Sequence, residues 1–286
     1  MIQTLENRLP GVAGITLHYY AWLPETPPVA CVAIAHGIGS HGGAFTNVGE
    51  IWAAQGVAVY ALDFRGHGLS EGQRGHINDW SELVADVQCL LEQIQAEYPD
   101  VPLFLWGHSL GGAVAMDVSL QSVIPLDGLL LIAPAMDAGG ISPIKMAIGR
   151  LLSKIWPRFS LKTGIDKTNC SRVPELVVAY YADPLHHDYG SARMATEFLR
   201  AIARIKSQIK TLQLPVLILH GGGDRVTQVA GSEALFAQLT MTDKTLRIFP
   251  DAMHELHLEL NREEILAGMI AWIKARASGR VLELVD

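Results

Sequence analysis

Ten residues, Leu103–Gly112 (LFLWGHSLGG), restrict this chain more than any other stretch. The apolar run Leu103-Phe104-Leu105-Trp106 reads as a buried strand, and a helical pattern starts immediately after Ser109. A strand that enters a helix through only Gly107-His108-Ser109-Leu110-Gly111 must pass a sharp, strained bend. At such a bend the neighbouring backbone comes too close for a Cβ, and Gly107 and Gly111 give that clearance. The spacing is the G-x-S-x-G nucleophile elbow, which pushes the Ser109 hydroxyl out over the end of a sheet. The following helix N-terminus offers unpaired N–H groups and a positive dipole end where negative charge develops.

The pattern around the elbow repeats. Strands are expected at 15–22, 29–36, 57–63, 128–133, 215–220 and 245–249, with helices at about 44–55, 79–98, 229–239 and 262–277. Continuous apolar runs such as VACVAIAH and GLLLIA suit strands covered on both faces. Strands alternating with helices predict parallel βαβ units and a doubly wound sheet. The interval 135–207 breaks the alternation, with helical patterns and no convincing strand, and it is too long for an ordinary connection. It is expected to be a helical cap inserted in a core made of 1–134 and 208–286. Within it Ile144, Ile148, Leu151 and Ile155 recur at helical spacing, with Lys145, Arg150 and Lys154 off that stripe. Such a stripe packs on the main domain, or it receives an acyl chain or rests on a lipid surface.

Composition narrows the class. At 286 residues with 49% hydrophobic and 18% charged residues, there is ample material for one large core. A formal charge of −7 argues against a nucleic-acid surface, which needs a basic face. Cys31, Cys89 and Cys170 lie far apart, an odd set that fits a reducing compartment and no disulfide framework. The stretch MIQTLENRLPG lacks the basic and apolar regions of a signal peptide, and no apolar run matches a membrane span. A cytoplasmic protein able to lie peripheral to a membrane is the expectation.

A serine hydroxyl is a poor nucleophile until a base takes its proton, and that base needs a third group to orient it. The elbow therefore predicts an acid and then a histidine downstream, each after a strand. Asp224, in HGGGDRV after PVLILH, and His254, in PDAMHELH after TLRIF, meet that order. Ser109, Asp224 and His254 are the expected triad. The oxyanion is expected to be held by the backbone N–H groups of Leu110, after the nucleophile, and of Ile38, in the HGIG loop.

Rivals exist for each role. Asp251 is near His254 but reads as a turn residue, His257 reads as helix entry, His108 should point away along the bend, and His220 ends a strand. Gly37, Gly39 and Gly42 satisfy G-x-G-x-x-G, with Asp63 about twenty residues on, as in an NAD-dependent oxidoreductase. That reading leaves Ser109, Asp224 and His254 unexplained. His254-Glu255-Leu256-His257 lacks the i, i+4 histidine pair of a zinc motif, and no metal or other cofactor is expected. His186 and His187 read as solvated loop residues. A non-catalytic ligand-binding homologue would be expected to lack a triad member.

HGIGSHGG, DFRGHGLSEG, GHSLGG, DPLHHD, HGGGDRV and AMHELHLE occur in the order seen in one known group. From about Gly14 to Lys274 the chain resembles α/β-hydrolases of the monoacylglycerol lipase and lysophospholipase-like group. The resemblance implies an α/β-hydrolase fold, with a mostly parallel central sheet flanked by helices and a mobile helical cap over an acyl tunnel. It implies a serine carboxylesterase acting on monoacylglycerols or related single-chain esters, with lysophospholipase or broad esterase activity as alternatives. Its triad maps onto Ser109, Asp224 and His254, and its oxyanion donors onto Ile38 and Leu110. Its glycerol-contacting positions map onto Ser40, Ala44 and His257, and only the histidine keeps the family's residue type. Substrate contacts are thus expected at His257 and Ser40 and, on the stripe, at Ile144, Ile148 and Leu151. The expected partner is a small acyl ester, with transient membrane or micelle contact through the cap.

Overall fold

The computed structural model describes residues 2–121, 123–137 and 143–283, with side chains throughout these except at 143–145, 167 and 280–283. Strands β1 (Gln3–Pro10), β2 (Thr16–Leu23), β3 (Ala30–Ala35), β4 (Val57–Asp63), β5 (Leu103–His108) and β6 (Gly128–Ile132) form most of one sheet. After β7 (Ser160–Lys162) and β8 (Tyr189–Ser191), which pair only with each other, β9 (Val216–Gly221) and β10 (Lys244–Phe249) complete it. The order is β1-β2-β4-β3-β5-β6-β9-β10, antiparallel from β1 through β2 to β4 and parallel beyond. The elbow strand β5 lies between β3 and β6, near the centre.

Helices cover both faces, which is why the central strands carry no polar side. The helices are α1 (Thr46–Ala53), α2 (Ser81–Glu97), α3 (Leu110–Gln121), α4 (Pro143–Ile155), α5 (Pro174–Ala182), α6 (Ala192–Gln208), α7 (Val229–Gln238) and α8 (Arg262–Glu283). Along β3, Cys31, Ala33 and Ala35 pack in the core shared with α2, α3 and α6. Val32 and Ile34 join Trp52 of α1 and Ile265, Met269 and Ile273 of α8 on the opposite face. The period of two thus distributes an all-apolar strand between two cores.

Two expectations change. QTLENRLP forms the edge strand β1, which has no apolar face to announce it because seven of its eight residues are exposed. The interval 135–207 does contain strands, the three-residue pair β7 and β8, too short for periodicity to reveal. It also contains α6, whose Ala201, Ile202 and Ile205 are buried in the core beside α3, so this helix packs as part of the core layer. The part that leaves the sheet runs from α4 to β8. Among the described residues no helix is long and apolar enough to cross a membrane.

The elbow shows why its glycines are required. A Cβ on Gly111 would lie 2.1 Å from the Ala35 carbonyl oxygen and 2.5 Å from that of His36. Both obstacles are backbone at the end of a central strand, so neither can yield cheaply. Gly111→Ala is expected to destabilise the protein by about 1–3 kcal/mol or more, read as a lower urea midpoint. An unchanged midpoint would show that β3 shifts freely.

Candidate active site

Ser109 sits at the end of β5 with φ +53°, a left-handed conformation that is strained for a residue with a side chain. Its N–H donates to the Ile132 carbonyl at 3.1 Å, and its carbonyl accepts from Gly112 and Ala135, both at 2.9 Å. Those bonds hold the bend against its preference and turn the side chain into a cleft at the C-terminal ends of the strands. Ser109 and His254 both line that cleft. No hydrogen bond joins the hydroxyl to the imidazole among the described residues; in unliganded sites such contacts are commonly long.

Asp224 lies three residues past β9. Its Oδ1 accepts the backbone N–H groups of Val226 at 2.7 Å and Thr227 at 3.0 Å, which fixes the carboxylate in a tight turn. Its Oδ2 faces His254 Nδ1 at 2.7 Å, the Thr227 hydroxyl at 2.9 Å and His220 Nε2 at 3.2 Å. Burial alone would raise this carboxyl, but the bonds from His220 and His254 outweigh it and hold Asp224 far below the usual carboxylate range. With the carboxylate against Nδ1, the imidazole proton belongs on that nitrogen, and Nε2 is left with a free lone pair. Burial lowers the His254 pKa and the Asp224 bond raises it; the net direction is up.

His220, at the end of β9, touches the acid. Its Nε2 is flanked by two acceptors, the Thr227 carbonyl at 3.2 Å and Asp224 Oδ2, so that nitrogen carries the proton. Nδ1 then accepts from the Ser232 hydroxyl at 2.7 Å. Thr227 also went unnoticed. The i, i+4 spacing of His220 and Asp224 was a usable signal; nothing in the sequence marked Thr227. Asp251, the rival acid, is exposed on its turn.

The Ile38 and Leu110 N–H groups make no hydrogen bond among the described residues. Leu110 begins α3, where the first N–H groups lack helical partners. Ile38 follows Gly37, where a Cβ would come within 3.1 Å of Ser109 Cβ. Both donors therefore flank the serine.

The other expected contacts divide. Ser40 lines the cleft, and its Oγ accepts from the Tyr180 hydroxyl at 2.7 Å. His257 does not line it: the ring is buried, stacked on Phe45 with 4.7 Å between centroids, and its Nδ1 is 3.5 Å from Glu255 Oε2. Ile148 and Leu151 are corrected more sharply. Both are more than half exposed and face away from the cleft, because α4 turns Ser153 rather than this stripe towards α6. Ile144 lies outside the residues with described side chains. The chain between α4 and β8 reaches the cleft instead through Ile165, Cys170, Tyr180, Tyr181 and His187. His108 also lines it, with Nε2 3.3 Å from the His254 carbonyl oxygen. Asp63 is engaged by the Gly42 and Leu69 N–H groups at 2.6 and 2.8 Å, which removes it as a ribose ligand.

Glu255, beside His254, entered the sequence analysis only as part of a rejected zinc motif. It is buried in the cleft wall, 3.5 Å from His108 Nε2. Burial pushes its carboxyl up to about 7.

Residues 26–261 match the model of the family described as serine aminopeptidase, S33 (Hydrolase_4). A monoacylglycerol lipase of Mycolicibacterium smegmatis is 34% identical over 270 residues, 94% of this chain and 96% of that protein. The monoglyceride lipase of Mus musculus is 34% identical over 260 residues, 89% and 86% of the two chains. Among solved structures, the monoacylglycerol lipase of Paleococcus ferrophilus superposes with a TM-score of 0.81 at 28% identity, covering 96% of this chain and 99% of that one. The mostly parallel eight-stranded sheet is an α/β-hydrolase fold.

The electrostatics of the pair are open to titration. Asp224→Asn removes the two largest upward influences on His254 and leaves burial against the weaker pull of Glu255, so its pKa is expected to drop from above about 6.5 to below it. Ring-nitrogen NMR reads this directly. An imidazole titrating at the same pH in both proteins would mean that the carboxylate does not govern it.

Proposed function

We propose, because the chain belongs to the serine aminopeptidase S33 (Hydrolase_4) family of α/β-hydrolases, that its substrates are neutral single-chain acyl esters such as monoacylglycerols. The protein is a serine ester hydrolase. The observation that carries the proposed mechanism is the 2.7 Å contact of Asp224 with His254 Nδ1, in a cleft shared with a strained Ser109. His254 Nε2 takes the Ser109 proton as Oγ attacks the ester carbonyl. The carbonyl oxygen becomes an oxyanion held by the Ile38 and Leu110 N–H groups. As the tetrahedral intermediate collapses, the imidazolium gives its proton to the leaving alcohol, and the acyl group stays on Ser109. Water, deprotonated by His254, then releases the fatty acid and restores the hydroxyl.

The segment from α4 to β8 serves as a cap. It closes on the core through His187 N–H to the Gly39 carbonyl, Ser191 N–H to the Gly75 carbonyl, both 2.9 Å, and His41 Nε2 to Asp183 at 3.0 Å. The free space in this partly open cleft, about 40 Å³, admits a few waters and no acyl chain, so substrate entry requires the cap to move. Ile148, Leu151, Ile155 and Trp156 make an exposed apolar ridge on and just after α4, suited to resting on a lipid surface.

The choice between glycerol and phosphate-bearing alcohols follows from charge. Among the described residues the cleft wall contains no Lys or Arg, and two carboxyls, Asp188 and Glu255. Two of its histidines do not supply the missing cation: burial lowers His108 well below its ordinary value and His187 to about 4. A phosphodiester entering here would be a buried anion without a partner, which costs about 3–5 kcal/mol. A glycerol hydroxyl would not.

Three outcomes test this. A fluorophosphonate should label the wild type and fail on Ser109→Ala, while Asp224→Asn folds normally and loses about 10⁴ in kcat. Full activity in the latter would move the acid elsewhere. Activity should fall as the pH drops through the raised His254 pKa, because the imidazolium cannot accept the serine proton; a flat profile down to about pH 5 contradicts the base assignment. Finally, kcat/KM for a monoacylglycerol should exceed that for lysophosphatidylglycerol of the same chain by at least about 100-fold. The ratio should grow above pH 7 as Glu255 ionises, and shrink in Glu255→Gln. A ratio near unity would overturn the neutral-substrate reading.

A further inference from the structure

The chain has a formal charge of −7, yet four cationic side chains line one groove between α4 and α6: Arg150, Lys154, Arg193 and Arg200. The groove encloses about 520 Å³ and lies outside the catalytic cleft, with no residue in common. Ser153 and Thr196 lie buried within it, their hydroxyls 2.7 Å apart. Arg193 is anchored by Nη2 to the Ser153 carbonyl at 2.8 Å, while its Nε is buried with no partner. Arg200 pairs with Glu197 at 2.6 Å. Arg150 and Lys154 form no ion pair among the described residues; the Arg150 guanidinium rests on Met146 Sδ at 3.4 Å. Four cations facing one carboxylate leave an unbalanced positive site, and guanidinium groups match the several acceptor oxygens of a phosphate.

Its position says which phosphate. Each residue of α4 advances about 100° around the helix, which places Arg150 and Lys154 between the buried Ser153 and the exposed ridge of Ile148, Leu151 and Ile155. An apolar ridge bordered on one side by cations is the arrangement of a helix lying at a bilayer surface, apolar side chains among acyl chains and cations at headgroup depth. Trp156, exposed just beyond the helix, suits the same depth. We propose that the α4–α6 groove binds the phosphate of an anionic phospholipid and holds the cap on anionic membranes. The lipid bound there is not the substrate. The cationic groove selects the surface, and the cation-free cleft selects the ester. This inference rests on the reading that the α4 ridge meets lipid, and it can fail alone.

Sedimentation of the full chain with vesicles of phosphatidylcholine, with and without about 30% phosphatidylglycerol, tests it. Wild type should prefer the anionic vesicles. Arg150→Ala/Lys154→Ala should lower binding to them by at least about tenfold, given roughly fivefold per cation, and leave binding to phosphatidylcholine and hydrolysis of a short soluble ester unchanged. Adding Arg200→Gln should lower it further. Leu151→Ser/Ile155→Ser should weaken binding to both vesicles, which identifies the ridge separately. Equal binding of wild type to both vesicles, or an unchanged anionic preference in the double variant, overturns the groove and leaves the ridge. Absence of any vesicle binding overturns both. Displacement by inorganic phosphate beyond that given by sodium chloride of equal ionic strength would assign the groove to a soluble phosphate compound and overturn the lipid.

Discussion

The bend at Ser109 is the constraint on which the rest depends. A non-glycine residue in the left-handed region costs on the order of 1–3 kcal/mol and persists only when its surroundings over-determine it. Here the surroundings are the ends of several strands. Ser109 is tied to Ile132 of β6 and to Ala135 beyond it, and Ala133, itself at φ +44°, donates to Leu219 of β9. The Thr227 hydroxyl reaches the Ala133 carbonyl at 3.1 Å while also touching Asp224. Strain at the serine and placement of the acid are thus borne by one connected set of strand ends. A substitution loosening β6 would disturb both without touching either side chain.

Comparison of the histidines isolates what makes His254 different. His36, His67, His108 and His257 are also buried, and each is pushed down by that burial. His254 is equally buried and moves up. What separates them is the Asp224 carboxylate at 2.7 Å, itself kept ionised by two backbone N–H groups, a hydroxyl and His220. Burial without that partner produces neutral rings; burial with it produces a base. The chemistry is therefore set by Asp224 as much as by the residue that moves the proton.

The strands covered on both faces were legible because their composition is extreme; Ser109 and Asp224 follow such strands, and His254 follows the edge strand β10, whose alternation marks it instead. What escaped has physical reasons. β1 pairs along one edge with little buried, so its residues keep no period. Thr227 and Glu255 act through side-chain proximity across loops, which spacing does not encode. The α4 stripe shows the deeper limit: Ile148, Leu151 and Ile155 reveal an apolar face but not what covers it. Only the packing of Ser153 on Thr196 shows that this face looks outward. The cations of α6 complete a site whose halves are some forty residues apart, so the basic bias near α4 read alone conveyed half of it.

The sizes of the energies connect the ridge to the cleft. Lifting the whole cap breaks the bonds of His187 to Gly39, Ser191 to Gly75, His41 to Asp183, Tyr180 to Ser40, the Glu255 N–H to the Cys170 carbonyl, Ser171 to the Leu258 carbonyl and the Arg172–Glu259 ion pair. At about 1 kcal/mol net for each neutral bond and somewhat more for the two to carboxylates, full closure is held by on the order of 10 kcal/mol, and any two or three of these bonds by a few. Burying the exposed apolar surface of Ile148, Leu151, Ile155 and Trp156 in lipid gains about 1 kcal/mol or more per side chain, of the same order. In water that gain is absent and the cleft stays shut around a space too small for substrate. At a bilayer, differential contact of this magnitude is enough to shift a partial opening that breaks two or three of these bonds, provided the open form presents more of the ridge than the closed one. A cleft that opens more readily where its acyl substrate is dissolved then follows from the ridge and the latch together.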